Sequence, residues 1–185
     1  KKIFNNHSIF MKHISIIILS ILLLTSCENK EKVAENKVSQ LPSTYYFIRH
    51  AEKDRSDYTN ENPHLMDRGK QRAQHWSEVF KNIHFDAVYS TNYNRTIETA
   101  LPTASKNNLD LILYDPKTID ISKFLKDTAG KNILVVGHSN TTPDFANKIL
   151  GSKKYIDIED SNNSNLYIIN IFGDHISDQL LYINH

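Results

Sequence analysis

Apolar positions along this chain follow two alternating patterns. Short continuous runs of β-branched and aromatic residues, such as Thr44, Tyr45, Tyr46, Phe47 and Ile48, predict strands covered on both faces. Between these runs, apolar residues recur at helical spacing with charged residues among them. In order, a strand is expected over 44–48 and a helix over 67–80, carried by Ala73, Trp76 and Phe80 with Ile83 beyond. Gly69 in the first turn of that helix is a small cost. A strand over 85–89 leads into a helix whose Ile97, Ala100, Leu101 and Ala104 share one face, with Pro102 expected to end or kink it. A third strand spans 109–114, and Ile121, Phe124 and Leu125 mark a short helix that stops at Gly130. The fourth strand, 132–136, precedes a helix with Thr142 as N-cap, Pro143 at its first position and Gly151 as its C-terminal cap. Its buried face is Phe145, Ala146, Ile149 and Leu150. Strands over 166–172 and 179–183 join through Gly173-Asp174, a hairpin turn. Alternation of this kind predicts an α/β fold: a three-layer α/β/α sandwich with a mainly parallel sheet and an antiparallel C-terminal edge hairpin.

The N-terminal segment reads differently. Residues 14–24 are apolar except Ser15 and Ser20, follow Met11-Lys12-His13, and lead to Leu24-Thr25-Ser26-Cys27. A basic start, a short apolar run and small residues describe a secretory signal, too short to span a bilayer comfortably. The last four residues resemble the lipobox of bacterial lipoproteins, in which the cysteine is lipidated and becomes the mature N-terminus. The expected division is therefore a signal segment over 1–27, with 1–10 an over-extended start, a polar tether over 28–43 and one folded domain over 44–185. The expected location is the bacterial cell envelope, lipid-anchored through Cys27 and facing the periplasm or exterior. Cys27 is the single cysteine of the chain, so no intrachain disulfide can form.

Charge narrows the choice of partner. The net charge of +1 is inflated by three lysines and no acids in the first 27 residues; residues 28–185 carry 19 basic and 21 acidic groups. No basic stripe marks a nucleic-acid surface. A site for an anion must then be made by local placement of a few cations.

Such placement is visible at the strand ends. The first strand delivers Arg49 and His50; the second delivers Ser90, with Arg95 in the first turn of the following helix; the fourth delivers His138. In a parallel sheet these ends share one edge, where open α/β folds bind ligands. Arginine offers forked, permanently charged donors, and phosphoryl transfer needs in-line positioning with donors around three equatorial oxygens. A cationic neighbourhood also disfavours protonation of His50, which keeps a nitrogen lone pair available for attack. Cations built into the protein make a metal unnecessary to this chemistry, and no cofactor is expected. His64, His75 and His84 have no metal-ligand spacing and read as surface residues. Trp76 and the aromatics at 45–47 read as core, Glu98 and Asp144 as helix-surface charges.

Arg49-His50-Ala51-Glu52 resembles the Arg-His-Gly motif of the histidine phosphatase superfamily, the phosphoglycerate mutase-like proteins. Ser90 to Arg95-Thr96, continuing to Glu98-Thr99-Ala100, is similar to the second arginine segment of that family, and Val136-Gly137-His138-Ser139 to its second-histidine segment. Order and spacing match from about Tyr45 to Phe172. The resemblance implies that His50 becomes phosphohistidine and that Arg49, Arg95 and His138 hold the phosphoryl oxygens. The chain departs from the pattern at Ala51, where glycine is usual, and at Leu65-Met66, where a capping threonine is usual; the cap is lost or shifts to Asp67.

The family usually protonates the leaving oxygen with a carboxylate. Ser139-Asn140 offers none after the second histidine, so the nearest candidate is Asp115 beyond the third strand, with Asp120 and Glu52 as others. A missing acid favours good leaving groups such as phosphohistidine, phosphoramidate or aryl phosphate. Asn140 and Thr141 are candidates for substrate contact, with capping and turn roles as the alternative. The loop over 53–63 is long enough to act as a lid. The expected function is a lipid-anchored, metal-independent phosphohydrolase acting on a small phosphorylated substrate. The alternatives are a phosphoglycerate mutase-type phosphotransferase, which export disfavours, and a non-catalytic lipoprotein that binds phospho-ligands.

Overall fold

The first strand has no polar face to offer water, and the fold buries both its sides. The computed structural model describes residues 41–184. The expected signal segment with Cys27, and residues 28–40 of the expected tether, lie outside the described residues. From there the chain runs β1 (Ser43–Arg49), α1 (Asp67–Val79), β2 (Ala87–Thr91), α2 (Asn94–Lys106), β3 (Leu111–Tyr114), α3 (Ile121–Asp127), β4 (Asn132–Gly137), α4 (Thr141–Leu150), β5 (Asn165–Phe172) and β6 (His175–Tyr182). The six strands form one sheet in the order β3-β2-β4-β1-β5-β6. The pairs β2–β3, β2–β4 and β4–β1 are parallel; β1–β5 and β5–β6 are antiparallel. This is the expected mainly parallel sheet with an antiparallel edge.

Strand periodicity sorts the core into two layers. Tyr45 and Phe47 of β1 join Ile133, Val135, Tyr167 and Ile169 under Phe124 of α3 and Phe145 and Ile149 of α4. On the other face Ile48 joins Leu134, Val136, Val88 and Leu166 under Trp76 of α1 and Ala100 and Ala104 of α2. Each large side chain buried this way contributes roughly 1.5–3 kcal/mol. Trp76 and Phe80 also stack, with ring centroids 5.6 Å apart.

Several details differ from the sequence reading. Pro102 does not end α2, which continues to Lys106. The helix forgoes the one ladder bond that proline cannot donate, and the packing of its buried face carries it through. That face is Thr96, Thr99, Ala100, Thr103 and Ala104, while Leu101 is 44% exposed. Thr142 is not an N-cap: α4 starts at Thr141, and the buried Thr142 hydroxyl turns to the carbonyl of Ile48 at 3.3 Å. Before α1, Met66 provides no side-chain cap, so the cap is lost and not moved to Asp67. Strand β6 starts four residues earlier than expected. Its first residue, His175, pairs with Phe172 across Gly173-Asp174, a turn that uses the positive φ of Gly173, 57°.

Candidate active site

Strand register brings the expected residues together. Arg49 stands opposite Gly137 in the β1–β4 ladder, and the His50 N–H donates to the Gly137 carbonyl at 2.9 Å. On the other side of β4, β2 ends at Thr91, and α2 opens three residues later with Arg95 in its first turn. Helix α1 leaves β1 toward one face of the sheet and α4 leaves β4 toward the other. The gap between β1 and β4 is thus a point where the winding reverses, and such points form ligand crevices at the C-terminal edge.

His50 is 4% exposed and is oriented from both sides. Its Nδ1 lies 2.7 Å from the carbonyl of Ala51. A carbonyl can only accept, so Nδ1 carries the proton and Nε2 keeps its lone pair. The His50 carbonyl accepts from Asn163 Nδ2 at 2.7 Å, which fixes the backbone beneath the ring. Burial first, and then the charges of Arg49, His138 and Arg95, push the imidazole pKa down to about 3, against the hydrogen bond to Ala51, which raises it. The neutral, nucleophilic form is therefore present across the ordinary pH range.

The ring of His138 stands edge-on to His50, centroids 5.5 Å apart, and edge-on to Tyr93 at 5.0 Å. Its Nε2 is 2.9 Å from Thr91 Oγ1. The Thr96 hydroxyl donates to the carbonyls of Thr91 and Tyr93, so the Thr91 hydroxyl can donate to Thr96 Oγ1, 2.9 Å away. Every group in this relay is satisfied when His138 Nε2 carries a proton and donates to Thr91. Burial, Arg95, Arg49 and Lys53 lower the His138 pKa to about 4. The backbone N–H of His138 donates to Thr141 Oγ1 at 3.0 Å, giving Thr141 the turn role rather than a demonstrated ligand contact.

Both arginines are only partly committed. Arg49, 3% exposed, donates through Nη1 to the carbonyls of Glu159, Asp160 and Asn162 and through Nη2 to Asp160 Oδ1 at 2.9 Å. Arg95 lies over the Tyr93 ring, 4.5 Å from its centroid, and donates to the Glu61 carbonyl. The Nε atoms of both are buried and have no hydrogen-bond partner among the described residues. Leaving a charged donor buried and unpaired is unfavourable, so these two N–H groups are available to oxygens of an incoming anion.

Two cavities reach the histidine pair. One of about 460 Å³ is lined by His50, Arg49, Lys53, Arg55, Asp160 and others; one of about 530 Å³ by His138, Arg95, Asp115, Asn140 and Thr141 among others. Asp115, the first acid candidate, thus shares a cavity with Arg95 and His138, and its Oδ1 accepts from the Lys117 N–H. The other two candidates have structural roles. Asp120 caps α3 through the Lys123 N–H, and Glu52 receives a fork of hydrogen bonds from the buried Arg72, with Arg68 at 3.3 Å. Asn140 flanks the start of α4 without capping it.

Other features were not apparent from the motifs. The loop over 53–63 is closed at its base by a bridge between Lys53 and Leu65 and pinned to α2 by Asn62–Asn94 hydrogen bonds. Glu98 is a clasp for this loop, bonded to His64 and to the Leu65 N–H, rather than a free surface charge. Lys53, Arg55 and Asp160 line the His50 cavity; the first two lie in the expected lid loop, whereas no sequence signal linked Asp160 to the site, because it lies in a polar stretch without periodicity. Among the described residues no cluster of three or more His, Cys, Asp or Glu is placed to hold a metal ion, and no helix is long and apolar enough to cross a membrane.

Comparison with known proteins bears on the fold. Residues 45–116 match the family model described as the histidine phosphatase superfamily, branch 1. No curated protein matches the sequence. Among solved structures, a phosphoglycerate mutase from Bacillus anthracis superposes with TM-score 0.60 at 16% identity, covering 78% of this chain and 95% of that one. A phosphoserine-bound mutant of phosphoserine phosphatase from Entamoeba histolytica gives 0.59 at 14% identity, covering 74% and 95%. The protein histidine phosphatase SixA complexed with tungstate gives 0.60 at 11% identity, covering 75% and 96%. At these identities the likeness is one of fold.

Proposed function

We propose that this chain belongs to the histidine phosphatase superfamily and is a metal-independent phosphohydrolase that works through phosphohistidine at His50; the family-model match over residues 45–116 supports the first part. The carrying observation is the orientation of His50: Nδ1 is held on the Ala51 carbonyl, and Nε2 is unprotonated beside two arginines with unpaired Nε–H donors. Nε2 attacks phosphorus as the bond to the leaving oxygen breaks. Arg49 and Arg95 hold the equatorial oxygens, where charge develops, and His138 joins them as its Nε2–H turns from Thr91 to the phosphoryl group. Water then attacks the phosphorus, breaking the N–P bond, releasing inorganic phosphate and restoring His50. Positive charge comes from arginine and lysine, so the reaction as drawn needs no metal. Asp115 is the proposed donor of the proton that the leaving oxygen takes, on the ground that it shares the cavity of His138 and Arg95. Asn140 is proposed to contact the substrate from the same cavity.

An aryl phosphate should be hydrolysed in the presence of EDTA, and His50→Ala should lower kcat by roughly 10³-fold or more. Turnover that needs added metal, or that survives loss of His50, would refute the mechanism. Asp115→Asn should slow a poor leaving group far more than an activated aryl phosphate; equal loss on both would remove Asp115 from the acid role. Lipid anchoring at Cys27 is the accompanying proposal, supported by the sequence pattern. Cells expressing the chain should incorporate a palmitate analogue into it, and Cys27→Ser should abolish the label.

A further inference from the structure

The His50 cavity gathers cations and carboxylates from two loops beside the nucleophile. Arg49, Lys53 and Arg55 line it together with the carboxylates of Glu52, Asp54 and Asp160. Glu52 is taken by Arg72 and Asp54 Oδ1 accepts from the Ser56 N–H, whereas Asp160 pairs with the cations of the cavity itself. Asp160 Oδ1 bridges Arg49 Nη2 at 2.9 Å and Arg55 Nη2 at 2.8 Å. The two ends of that bridge are unlike. Arg49 is buried and also holds three carbonyls of the same loop, whereas Arg55 is 54% exposed, Asp160 is 73% exposed, and Asp160 is the one partner found for the Arg55 guanidinium among the described residues. Lys53 is half-buried; burial first, and then the charges of Arg95, Arg55 and Arg49, lower its pKa against Asp160, which raises it. A carboxylate of the protein thus sits on a cationic wall beside the nucleophile, in an exposed and exchangeable contact.

We propose that Arg55 and Lys53 form a specificity subsite for a second anionic group on the substrate, and that this group takes the place of Asp160 on Arg55. The proposal rests on the reading of this crevice as a phosphoryl site. Asp160 then acts as an internal stand-in: it satisfies Arg55 when the subsite is unfilled and weakens the hold on substrates that carry only one anionic group. A substrate with two anionic groups exchanges one ion pair for another on Arg55 and adds Lys53, so it binds in preference.

The test compares phenyl phosphate with 4-carboxyphenyl phosphate. Affinities are measured by calorimetry on the His50→Ala protein, where turnover does not interfere, and kcat/KM on the active protein. The carboxylated compound should bind about tenfold more tightly, the range of one charge-assisted hydrogen bond. Arg55→Ala should reduce that preference to near unity, Arg55→Lys should keep much of it, and Asp160→Asn should increase it. Equal affinities in the parent protein, or an Arg55→Ala loss that is the same for both compounds, overturns the proposal. A preference seen in binding without turnover of either compound in the active protein supports the subsite and refutes the phosphohydrolase reading, so the two failures are distinct.

Discussion

His50 and His138 sit in a field that keeps both imidazoles neutral at pH values where free histidine is protonated, with pKa values near 3 and 4. For a nucleophilic histidine the consequence is specific. The acid limb of the kcat/KM profile, which reports the free enzyme, should fall near pH 4 or below rather than near 6.5. A limb centred between 6 and 7 that vanishes in His138→Gln would show that the neighbouring cations do not depress these groups. The hydroxyl relay makes a second prediction. Thr91→Val removes the acceptor of the His138 Nε2–H and should lower kcat/KM about tenfold, while Thr91→Ser, which keeps the hydroxyl, should retain most activity; equal loss in both would point to packing. Four of the site residues were legible in the sequence because each lies next to a strand end, so strand order alone gathers them. Lys53 and Arg55 were visible only as members of a lid loop and Asp160 not at all, because their individual link to His50 depends on how two polar loops fold back over the sheet edge. The acid was not legible either: only the structure shows Glu52 on Arg72, Asp120 capping α3, and Asp115, with one oxygen on the Lys117 N–H, in the cavity of His138.

Helix α1 approaches the loop after β1 so closely that its first turn requires a glycine. A Cβ on Gly69 would stand 2.1 Å from the carbonyl oxygen of Glu52, a backbone atom that cannot swing aside. Gly69 therefore reflects a contact two residues beyond His50 and not helix propensity, which would favour alanine. Gly69→Ala should lower the urea midpoint, with a destabilisation of about 1–3 kcal/mol typical of overpacking, and should reduce kcat as the Ala51–Glu52 backbone shifts. A gain in stability would mean that propensity outweighs the contact. The same limit explains where the pattern of elements was misread. Strand and helix identities followed from periodicity, but the buried stripe of α2 is largely threonine, Thr96, Thr99 and Thr103 beside Ala100 and Ala104. A rule that counts only apolar letters shifts the stripe to Leu101. Pro102 is expected to end or kink α2 because proline loses one hydrogen bond, yet the helix continues past it to Lys106, since packing along a whole face outweighs that loss.

Protonation of the two site histidines belongs to the energetics of the whole fold. Their folded pKa values, about 3 and about 4, lie below the ordinary value of 6.5, so between those limits the unfolded chain binds protons that the folded protein does not. When the unfolded state binds more protons, stability rises with pH. The contribution is fully present above about pH 6.5 and is lost as pH falls toward the folded values. Each histidine can add a slope of at most about 1.4 kcal/mol per pH unit. Carboxylates held low by partners, Glu52 by Arg72 and Asp160 by Arg55 and Arg49, act in the same direction but at lower pH, as they approach the carboxylate range. The interval from pH 5 to 6.5 therefore isolates the imidazoles. Urea unfolding across it should show stability falling with acidity, and the slope should drop by about one proton in His138→Gln and by about two in the His50→Gln, His138→Gln double variant. A slope unchanged in the double variant would mean that the site does not hold its histidines neutral. Inorganic phosphate, bound by the same cations, should raise the unfolding midpoint of the parent protein, and less so when Arg95→Ala removes one of the unpaired donors.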